Sequence, residues 1–328
     1  MRVLSKIVIG LTSLALLTGA LGCAPKGPTR VTVMLDWAPN TNHTGLYVAQ
    51  ALGLYAKQGL QVDIVQPGQS TTAVSTVASG KADFGISFQE EVTDARATDV
   101  PVVSIAAVVQ HNTSALMSLT SKNITRPKDL EGKKYGSFGL PIERQELEVL
   151  MKCDGGDVNK VQFVDIGASD PLMAIQRDVD VVWIYEGWEG AEAQLQDLPV
   201  NLVRFSDWTQ CLPDYYSPVI ITNEQTIAQR PDIVRRFMAA TSQGYTYAAQ
   251  HPTEAADILI KAAPEANADL IRRSQAWLSP RYQADAPRWG EQSAQVWANY
   301  AAWMSDRGLL PKKIDTSKAF TNDFLPKQ

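Results

Sequence analysis

The chain has 328 residues, of which 45% are hydrophobic and 20% are charged, and its formal net charge is −5. This composition is typical of a globular protein with roughly two domains or lobes, and it excludes a disordered chain. The acidic balance comes without a basic patch, so we expect no nucleic acid partner. The histidines lack the spacing of metal ligands, and we expect neither a metal site nor a bound cofactor.

The first residues have the pattern of an export signal. Basic residues precede an apolar run from Ile7 to Gly22, which is shorter than the ~20 residues that a membrane-spanning helix needs. Cys23 follows this run, and the stretch around it resembles a lipoprotein processing site. We therefore predict a signal peptide over residues 1–22, lipidation at Cys23 and a tether over residues 23–29. An ordinary signal with an incidental cysteine is the alternative.

The main part of the chain begins with alternating strands and helices. Val31 to Leu35 predicts a buried strand, a loop follows through His43, and Thr44 can cap the next helix. Further strands are predicted at 61–65, 84–88 and 102–109, with helices between them. This alternation indicates an α/β fold.

A second section of the same construction begins near His111. Its predicted strands are 116–119, 134–138, 161–166, 179–185, 202–205 and 218–222. Beyond Asn223 only helices are predicted, at 230–261, 270–278 and 292–304, and we expect them to pack on the first section. The predicted division is lobe 1 at 30–112 plus 223–328 and lobe 2 at 113–222. Crossings near His111 and Asn223 would form a hinge that closes around a ligand.

Residues with binding chemistry follow one strand in each lobe. Asp36 and Trp37 follow the first strand, and Tyr185, Trp188 and Glu189 follow a strand of lobe 2. Because open α/β sheets bind ligands at the carboxyl ends of their strands, we expect these side chains to line a cleft. Tyr185 and Glu189 lie four residues apart and share a helix face. Glu189 could accept hydrogen bonds from an amino group or ring N–H, while Tyr185 or Trp37 stacks on the ring.

Other candidates have an alternative structural role. Asn40 is either a ligand contact or a turn residue, and Asp36 could cap the same turn. Gln89 begins a helix directly after a strand, where backbone N–H groups could meet a carbonyl or anionic group. His43 is assigned to the turn or to a ligand hydrogen bond. Three aromatic residues that precede the last strand could wall the cleft, namely Trp208, Tyr215 and Tyr216.

Two cysteines remain besides Cys23. Cys153 and Cys211 could be oxidised after export. Each lies in a stretch without other cysteines, so the sequence does not pair them. We expect two buried or idle thiols, with a disulfide as the alternative.

Two stretches, Asp36 to Ala49 and Ala78 to Ile86, carry a resemblance to a known family. They resemble the periplasmic binding proteins of bacterial ABC importers, in the branch that binds thiamine-pyrimidine precursors or riboflavin. The similarity extends from Val31 to Pro326. It implies a two-lobed, type II-like periplasmic-binding-protein fold with a hinge and with the C-terminal helices packed on lobe 1.

The resemblance also implies which residues contact the ligand. In pyrimidine-binding members, an acid–aromatic pair after the first strand and a Tyr/Glu pair of this spacing have that role. The matching positions here are Asp36, Trp37, Tyr185 and Glu189. The same broad family resembles a fungal pyrimidine synthase that uses a histidine, a lysine and a cysteine-rich run. The lysine is missing here and the run is reduced to Cys211, so we expect no enzyme.

The function implied is capture of a flat heteroaromatic vitamin for an ABC permease and its ATPase. The protein would be an extracytoplasmic monomer, anchored to the cell membrane by its lipid. Riboflavin is narrowly preferred because more aromatic residues lie near the expected cleft than one pyrimidine ring would use. A formylated or hydroxymethyl aminopyrimidine is the alternative, and a ligand sensor for a signalling receptor is another. The acidic Asp36 and Glu189 argue against nitrate, sulfonate or taurine.

Overall fold

The computed structural model describes residues 27–68, 71–167 and 169–327. The predicted signal peptide at 1–22 and the predicted lipidation at Cys23 lie outside these residues. Within the described ranges, no helix combines the length and the apolar character needed to cross a membrane.

Two five-stranded mixed sheets form two lobes, as predicted. The sheet of lobe 1 contains β1 (Thr29–Met34), β2 (Leu60–Val65), β3 (Phe84–Ser87), β4 (Val102–Ala107) and β10 (Val219–Asn223). The sheet of lobe 2 contains β5 (Ser114–Leu119), β6 (Lys134–Ser137), β7 (Gln162–Asp165), β8 (Val181–Tyr185) and β9 (Val200–Arg204). The strand orders are β2-β1-β3-β10-β4 and β7-β6-β8-β5-β9. The two orders are alike, which is the repeated construction that the sequence indicates.

Strand β10 corrects one predicted boundary. The sequence places residues 218–222 in lobe 2, whereas β10 pairs antiparallel with β3 and β4 in lobe 1. The second crossing therefore lies before Val219 and not near Asn223. Every residue of β10 is buried, so its apolar pattern suits the centre of either sheet. Which lobe contains β10 depends on its pairing with distant strands, and the local sequence pattern does not encode that pairing.

Helices connect the strands and extend beyond them. Lobe 1 contains α1 (Thr44–Ala51), α2 (Leu54–Lys57), α3 (Ala73–Ala78) and α4 (Gln89–Ala97). Lobe 2 contains α5 (Pro141–Cys153), α6 (Pro171–Arg177) and α7 (Ala191–Leu195), the last preceded by a π-helical turn at Glu186–Gly190. The C-terminal helices are α8 (Glu224–Gln229), α9 (Pro231–Gln250), α10 (Pro252–Ala262), α11 (Ala268–Leu278) and α12 (Ala294–Asp306). Helices α9 and α10 pack against α1 of lobe 1.

The last helix contacts both lobes. Trp297 of α12 lies in a core cluster with residues of β4 and β10, whereas Tyr300 and Trp303 belong to the core of lobe 2. The Tyr300 hydroxyl donates to Glu146 of α5 at 3.1 Å, and the Trp303 indole donates to the Cys211 carbonyl at 3.0 Å. Helix α12 therefore joins the C-terminal part of the chain to lobe 2 as well as to lobe 1.

A disulfide links Cys153 to Cys211, so the expectation of two idle thiols is wrong. Cys153 is the last residue of α5, and Cys211 lies in the segment between β9 and β10. The two positions are 58 residues apart in sequence. Their approach is set by packing within lobe 2, which spacing alone does not reveal.

Candidate ligand-binding cavity

A cavity of about 640 Å³ lies between the lobes. Residues that follow β1 and β3 line it from lobe 1, and residues that follow β8 line it from lobe 2. The predicted residues among its lining are Asp36, Trp37, Asn40, Tyr185, Trp188 and Glu189. These side chains meet because the carboxyl ends of neighbouring strands open toward one cleft.

Asp36 is held by the loop that follows it. The backbone N–H of Asn40 donates to Nδ1 of His43 at 3.2 Å, so Nδ1 has a free lone pair and Nε2 carries the ring proton. That Nε2–H donates to Oδ1 of Asp36 at 2.6 Å. His43 is fully buried, and it therefore acts as a positioning residue beneath Asp36.

Asn40 has a structural role in addition to its place in the lining. Its Oδ1 accepts the backbone N–H of Asn42 at 2.9 Å, which caps the 3₁₀ turn Thr41–His43. Its amide nitrogen donates to the Ala38 carbonyl at 3.2 Å. Asn40 therefore caps the turn, and Asp36 accepts a hydrogen bond from His43 instead.

Glu189 is anchored to the end of β8. Its Oε2 accepts the backbone N–H of Tyr185 at 3.0 Å, which holds the carboxyl group in the lining of the cavity. Burial raises the pKa of Glu189 to about 7. At neutral pH this carboxyl group can therefore exist in either protonation state and can donate or accept a hydrogen bond.

Aromatic rings form much of the remaining lining. Trp37 is 57% exposed, so its ring is available for stacking. The Tyr185 ring is parallel to that of Phe88, with centroids 6.2 Å apart and an angle of 6° between the planes. Because Phe88 precedes α4 in lobe 1 and Tyr185 ends β8 in lobe 2, this pair spans the cleft. Trp188 follows Tyr185 in the π-helical turn.

Gln89 and Tyr215 do not line this cavity, which corrects two of the predicted placements. Gln89 is buried, and its Oε1 accepts the Tyr216 backbone N–H at 2.8 Å. Tyr215 is buried against Tyr300, and its hydroxyl donates to Glu146 at 3.2 Å. Their local pattern is that of a strand end or loop, but long-range partners turn their side chains inward. Trp208 and Tyr216 are likewise absent from the lining.

The sequence interpretation missed several lining residues. Glu90, Glu91 and Asp94 come from α4, and Phe138, Leu140 and Ile142 come from the end of β6 and the start of α5. The sequence did contain a signal for Glu90, because Glu90 directly follows Gln89, the predicted ligand contact at the start of the helix. Trp183 is both buried and part of the lining.

The lysine, arginine, histidine, aspartate and glutamate content of the described cavity lining is entirely acidic. Five carboxyl groups line it, from Asp36, Glu90, Glu91, Asp94 and Glu189, and among the described residues no lysine, arginine or histidine joins them. Burial raises the pKa of Glu90 and Glu91. Such a surface repels anions and favours ligands that donate hydrogen bonds.

A two-lobed α/β fold with a cavity at the strand ends between the lobes is the periplasmic-binding-protein fold. The periplasmic aliphatic sulphonate binding protein SsuA from Escherichia coli has this fold, with a TM-score of 0.70 and 16% sequence identity. The match covers 92% of this chain and 95% of that protein. The chain belongs to the NMT1/THI5-like family, whose sequence profile matches residues 40–255.

Three relatives share most of their length with the chain. The formylaminopyrimidine-binding protein of Halalkalibacterium halodurans is 31% identical over 89% of both chains. The 4-amino-5-hydroxymethyl-2-methylpyrimidine phosphate synthase of Legionella pneumophila is 26% identical over 91% of this chain and 93% of its own. The riboflavin-binding protein RibY of Chloroflexus aurantiacus is 26% identical over 90% of this chain and 86% of its own.

Proposed function

We propose that the protein is the substrate-binding component of an ABC importer and that its ligand is an aminopyrimidine of the thiamine-precursor kind. The observation that carries this proposal is a cavity lined by carboxyl groups and aromatic rings, with no basic group among the lining residues that the structure describes. The ring of such a ligand would stack on Trp37 or Tyr185. The relative with 31% identity, named for formylaminopyrimidine binding, supports the same ligand class.

Glu189 has the properties that an aminopyrimidine edge requires. This edge presents a ring nitrogen that accepts a hydrogen bond beside an amino group that donates one. A carboxyl group with a pKa of about 7 can donate its proton to the ring nitrogen and accept from the amino group. Asp36, fixed by His43, offers a further acceptor for ligand N–H groups.

Riboflavin is the second candidate, favoured by the size of the cavity. A volume of about 640 Å³ exceeds what a single pyrimidine ring fills. The sequence argument for riboflavin relied partly on Trp208, Tyr215 and Tyr216, which lie outside the lining. Phe88, Phe138 and Trp183 provide rings in their place, so a larger ring system would still find aromatic walls.

Binding without turnover is part of the proposal. Cys211 is bonded to Cys153 and is not available as a free thiol. His43 is fully buried and directed at Asp36, so it does not reach into the cavity as a reactive group. Some relatives are named synthases, but the residues here support ligand capture.

We also propose an extracytoplasmic location, with a lipid at Cys23 and a monomeric protein that presents both lobes to its permease. The disulfide supports this location because disulfides persist in oxidising compartments. Globomycin treatment of expressing cells, which blocks lipoprotein signal cleavage, tests the anchor. An unprocessed precursor is expected, and unaffected processing would contradict lipidation.

The decisive experiment is a calorimetric titration of the chain from Ala24 onward with formylaminopyrimidine, riboflavin and an alkanesulfonate. Saturable one-to-one binding of the pyrimidine, without sulfonate binding, is the expected result. Binding of riboflavin alone would support the second candidate. Binding of the sulfonate, or of none of the three, would overturn the proposal.

A further inference from the structure

We propose that Glu90 and Trp183 form a second hydrogen-bonding subsite in this cavity, which binds a ligand group with both an N–H and a carbonyl, as in an amide or imide. The inference depends on the proposed function, because it concerns the same ligand. It differs from the predicted site, which consists of Asp36, Trp37, Tyr185 and Glu189 with the residues around them. Neither Glu90 nor the Trp183 indole N–H was assigned a role by the sequence.

The first observation is that both residues have a buried polar atom without a partner. Trp183 is 6% exposed, and its Nε1 has no acceptor among the described residues. The Oε2 atom of Glu90 is also buried, and no described residue bonds to it. Buried polar groups in folded proteins nearly always have partners. Since both residues line the cavity, a ligand can supply the missing bonds.

The second observation is the position of the two residues on opposite lobes. Glu90 lies in the first turn of α4 in lobe 1, and Trp183 lies on β8 in lobe 2. Trp183 and Tyr185 are two residues apart on β8 and therefore project from the same face of the sheet. Tyr185 faces Phe88 of lobe 1, which places this face against the start of α4. A ligand group bonded to both residues would thus connect the lobes.

The surroundings favour strong hydrogen bonds at this subsite. Apolar side chains from lobe 2 and from the end of α12 share the lining, namely Phe138, Ile142, Met304 and Leu309. Together with Trp183 they belong to one hydrophobic cluster. Hydrogen bonds in such an apolar environment are electrostatically stronger than bonds in water.

The protonation of Glu90 matches an amide or imide partner. Burial, and then the nearby carboxyl group of Glu146, raises the pKa of Glu90 well above its usual range. Other titratable groups near it are Glu91 on the same helix, Tyr185 on β8 and Tyr215 and Tyr300 around Glu146. A neutral carboxyl group has one donor and one acceptor, so it can pair with both parts of an amide. The Trp183 N–H adds a donor for the carbonyl oxygen.

A matched pair of ligands tests the subsite. Formylaminopyrimidine carries a formamide, whereas the hydroxymethyl aminopyrimidine has a hydroxyl group and no carbonyl, and both side groups are neutral. We expect the wild-type protein to bind the formylated compound more tightly, and Trp183→Phe to reduce that preference about tenfold, the equivalent of one good hydrogen bond. Glu90→Leu should have a similar effect, and Glu90→Gln, which keeps a donor and an acceptor, should restore most of it. Riboflavin and its N3-methyl derivative form the equivalent pair for a flavin ligand.

Control variants separate this subsite from general damage. Trp208→Phe changes an indole outside the lining, and Glu148→Gln changes an exposed carboxylate, so both should keep the wild-type preference. Equal weakening of both ligands by Trp183→Phe and Glu90→Leu would overturn the subsite while leaving the proposed function intact. Absence of wild-type binding to either ligand class would instead overturn the proposed function and the subsite together.

Discussion

Individual side chains decide which ligands the cavity can accept. Asp36 and Glu189 are both held by hydrogen bonds from the protein, Asp36 by the His43 imidazole and Glu189 by the Tyr185 backbone. Fixed acceptors lose little freedom when a ligand binds, which favours affinity. The absence of basic groups from the described lining means that a phosphate or sulfonate would find no positive side chain to pair with.

Replacing Glu189 with glutamine should weaken ligand binding by about 1.5–3 kcal/mol, the range for a hydrogen bond to a charged group. Glutamine keeps a donor and an acceptor, but it cannot transfer a proton to a ring nitrogen, so the charged pair is lost. Isothermal titration calorimetry with formylaminopyrimidine measures the effect. Glu192→Gln is the matched control, because Glu192 lies one turn further on and outside the lining. An unchanged dissociation constant in Glu189→Gln would remove this residue from the site.

Glu146 should make the stability of the protein depend on pH. Burial raises its pKa from 4.5 to about 8, although the hydroxyl groups of Tyr300 and Tyr215 oppose the shift. Between these values the folded state keeps a proton that the unfolded state has lost. The free energy of unfolding should therefore decrease as the pH rises through this window.

In Glu146→Gln the replaced side chain cannot titrate, so the free energy of unfolding should decrease less as the pH rises. Urea unfolding at pH 5, 6.5 and 8 would measure this difference. Some decrease should remain because burial also raises the pKa of Glu90 and Glu189. Glu148→Gln, exposed on the same helix, should keep the wild-type slope. If the unfolding free energy of Glu146→Gln decreased with pH as steeply as that of wild type, Glu146 would not be a source of the pH dependence.

At the scale of elements, α1 and α9 pack together through two glycines. A Cβ atom added at Gly244 would collide with the Gly45 carbonyl and with Ala49, and one added at Gly45 would collide with the Tyr245 ring. The close approach positions α1, whose start follows the loop that holds Asp36. The sequence predicted a helix over 230–261, and Phe237 and Tyr245 of α9 are buried. It did not reveal the helix crossing, because the crossing depends on a partner far away in the chain.

Gly244→Ala should destabilise the protein by about 1–3 kcal/mol, since overpacking a dense interior forces backbone shifts. Thermal and urea denaturation would measure the loss. Gln243→Ala is the control, because Gln243 is exposed on the same helix and its replacement improves helix propensity. A Gly244→Ala variant as stable as wild type would show that α1 and α9 can separate without cost.

For the whole molecule, several long-range bonds connect the segments between the lobes. His111, in the first crossing, contacts Asp214 at 2.6 Å and Asp285 at 3.0 Å. The hydrogen bond to Asp214 raises the pKa of His111 to about 9, so the ring is charged at neutral pH and both nitrogens donate. Gln89 bonds to the second crossing at Tyr216. The residue predicted as a ligand contact therefore belongs to the connection between lobes.

Removing the Cys153–Cys211 disulfide should lower the free energy of unfolding by roughly 2–4 kcal/mol, because the bond restricts the unfolded chain. The double variant Cys153→Ser, Cys211→Ser in the chain from Ala24 onward tests this by urea denaturation. Reductant should destabilise the wild-type protein and leave the variant unchanged. Equal stability of oxidised and reduced wild type would contradict the role of the bond.

The sequence by itself determined the α/β class, the two sections and the strand ends at which Asp36, Trp37, Tyr185 and Glu189 lie. These features depend on residues that lie within a few positions of each other in the sequence. Such local patterns determine the hydrophobic periodicity, the helix caps and the turns. The motifs also carried enough information to indicate the family.

Only the tertiary structure decided the sheet that contains β10, the pairing of Cys153 with Cys211 and the orientation of Gln89 and Tyr215. It also showed that Glu90 and Trp183 share the cavity. Each of these features depends on partners distant in sequence, such as β3 and β4 for β10 or Glu146 for Tyr215. A local pattern states that a side chain is aromatic, acidic or buried, whereas the packing of two lobes decides which side chains face the ligand.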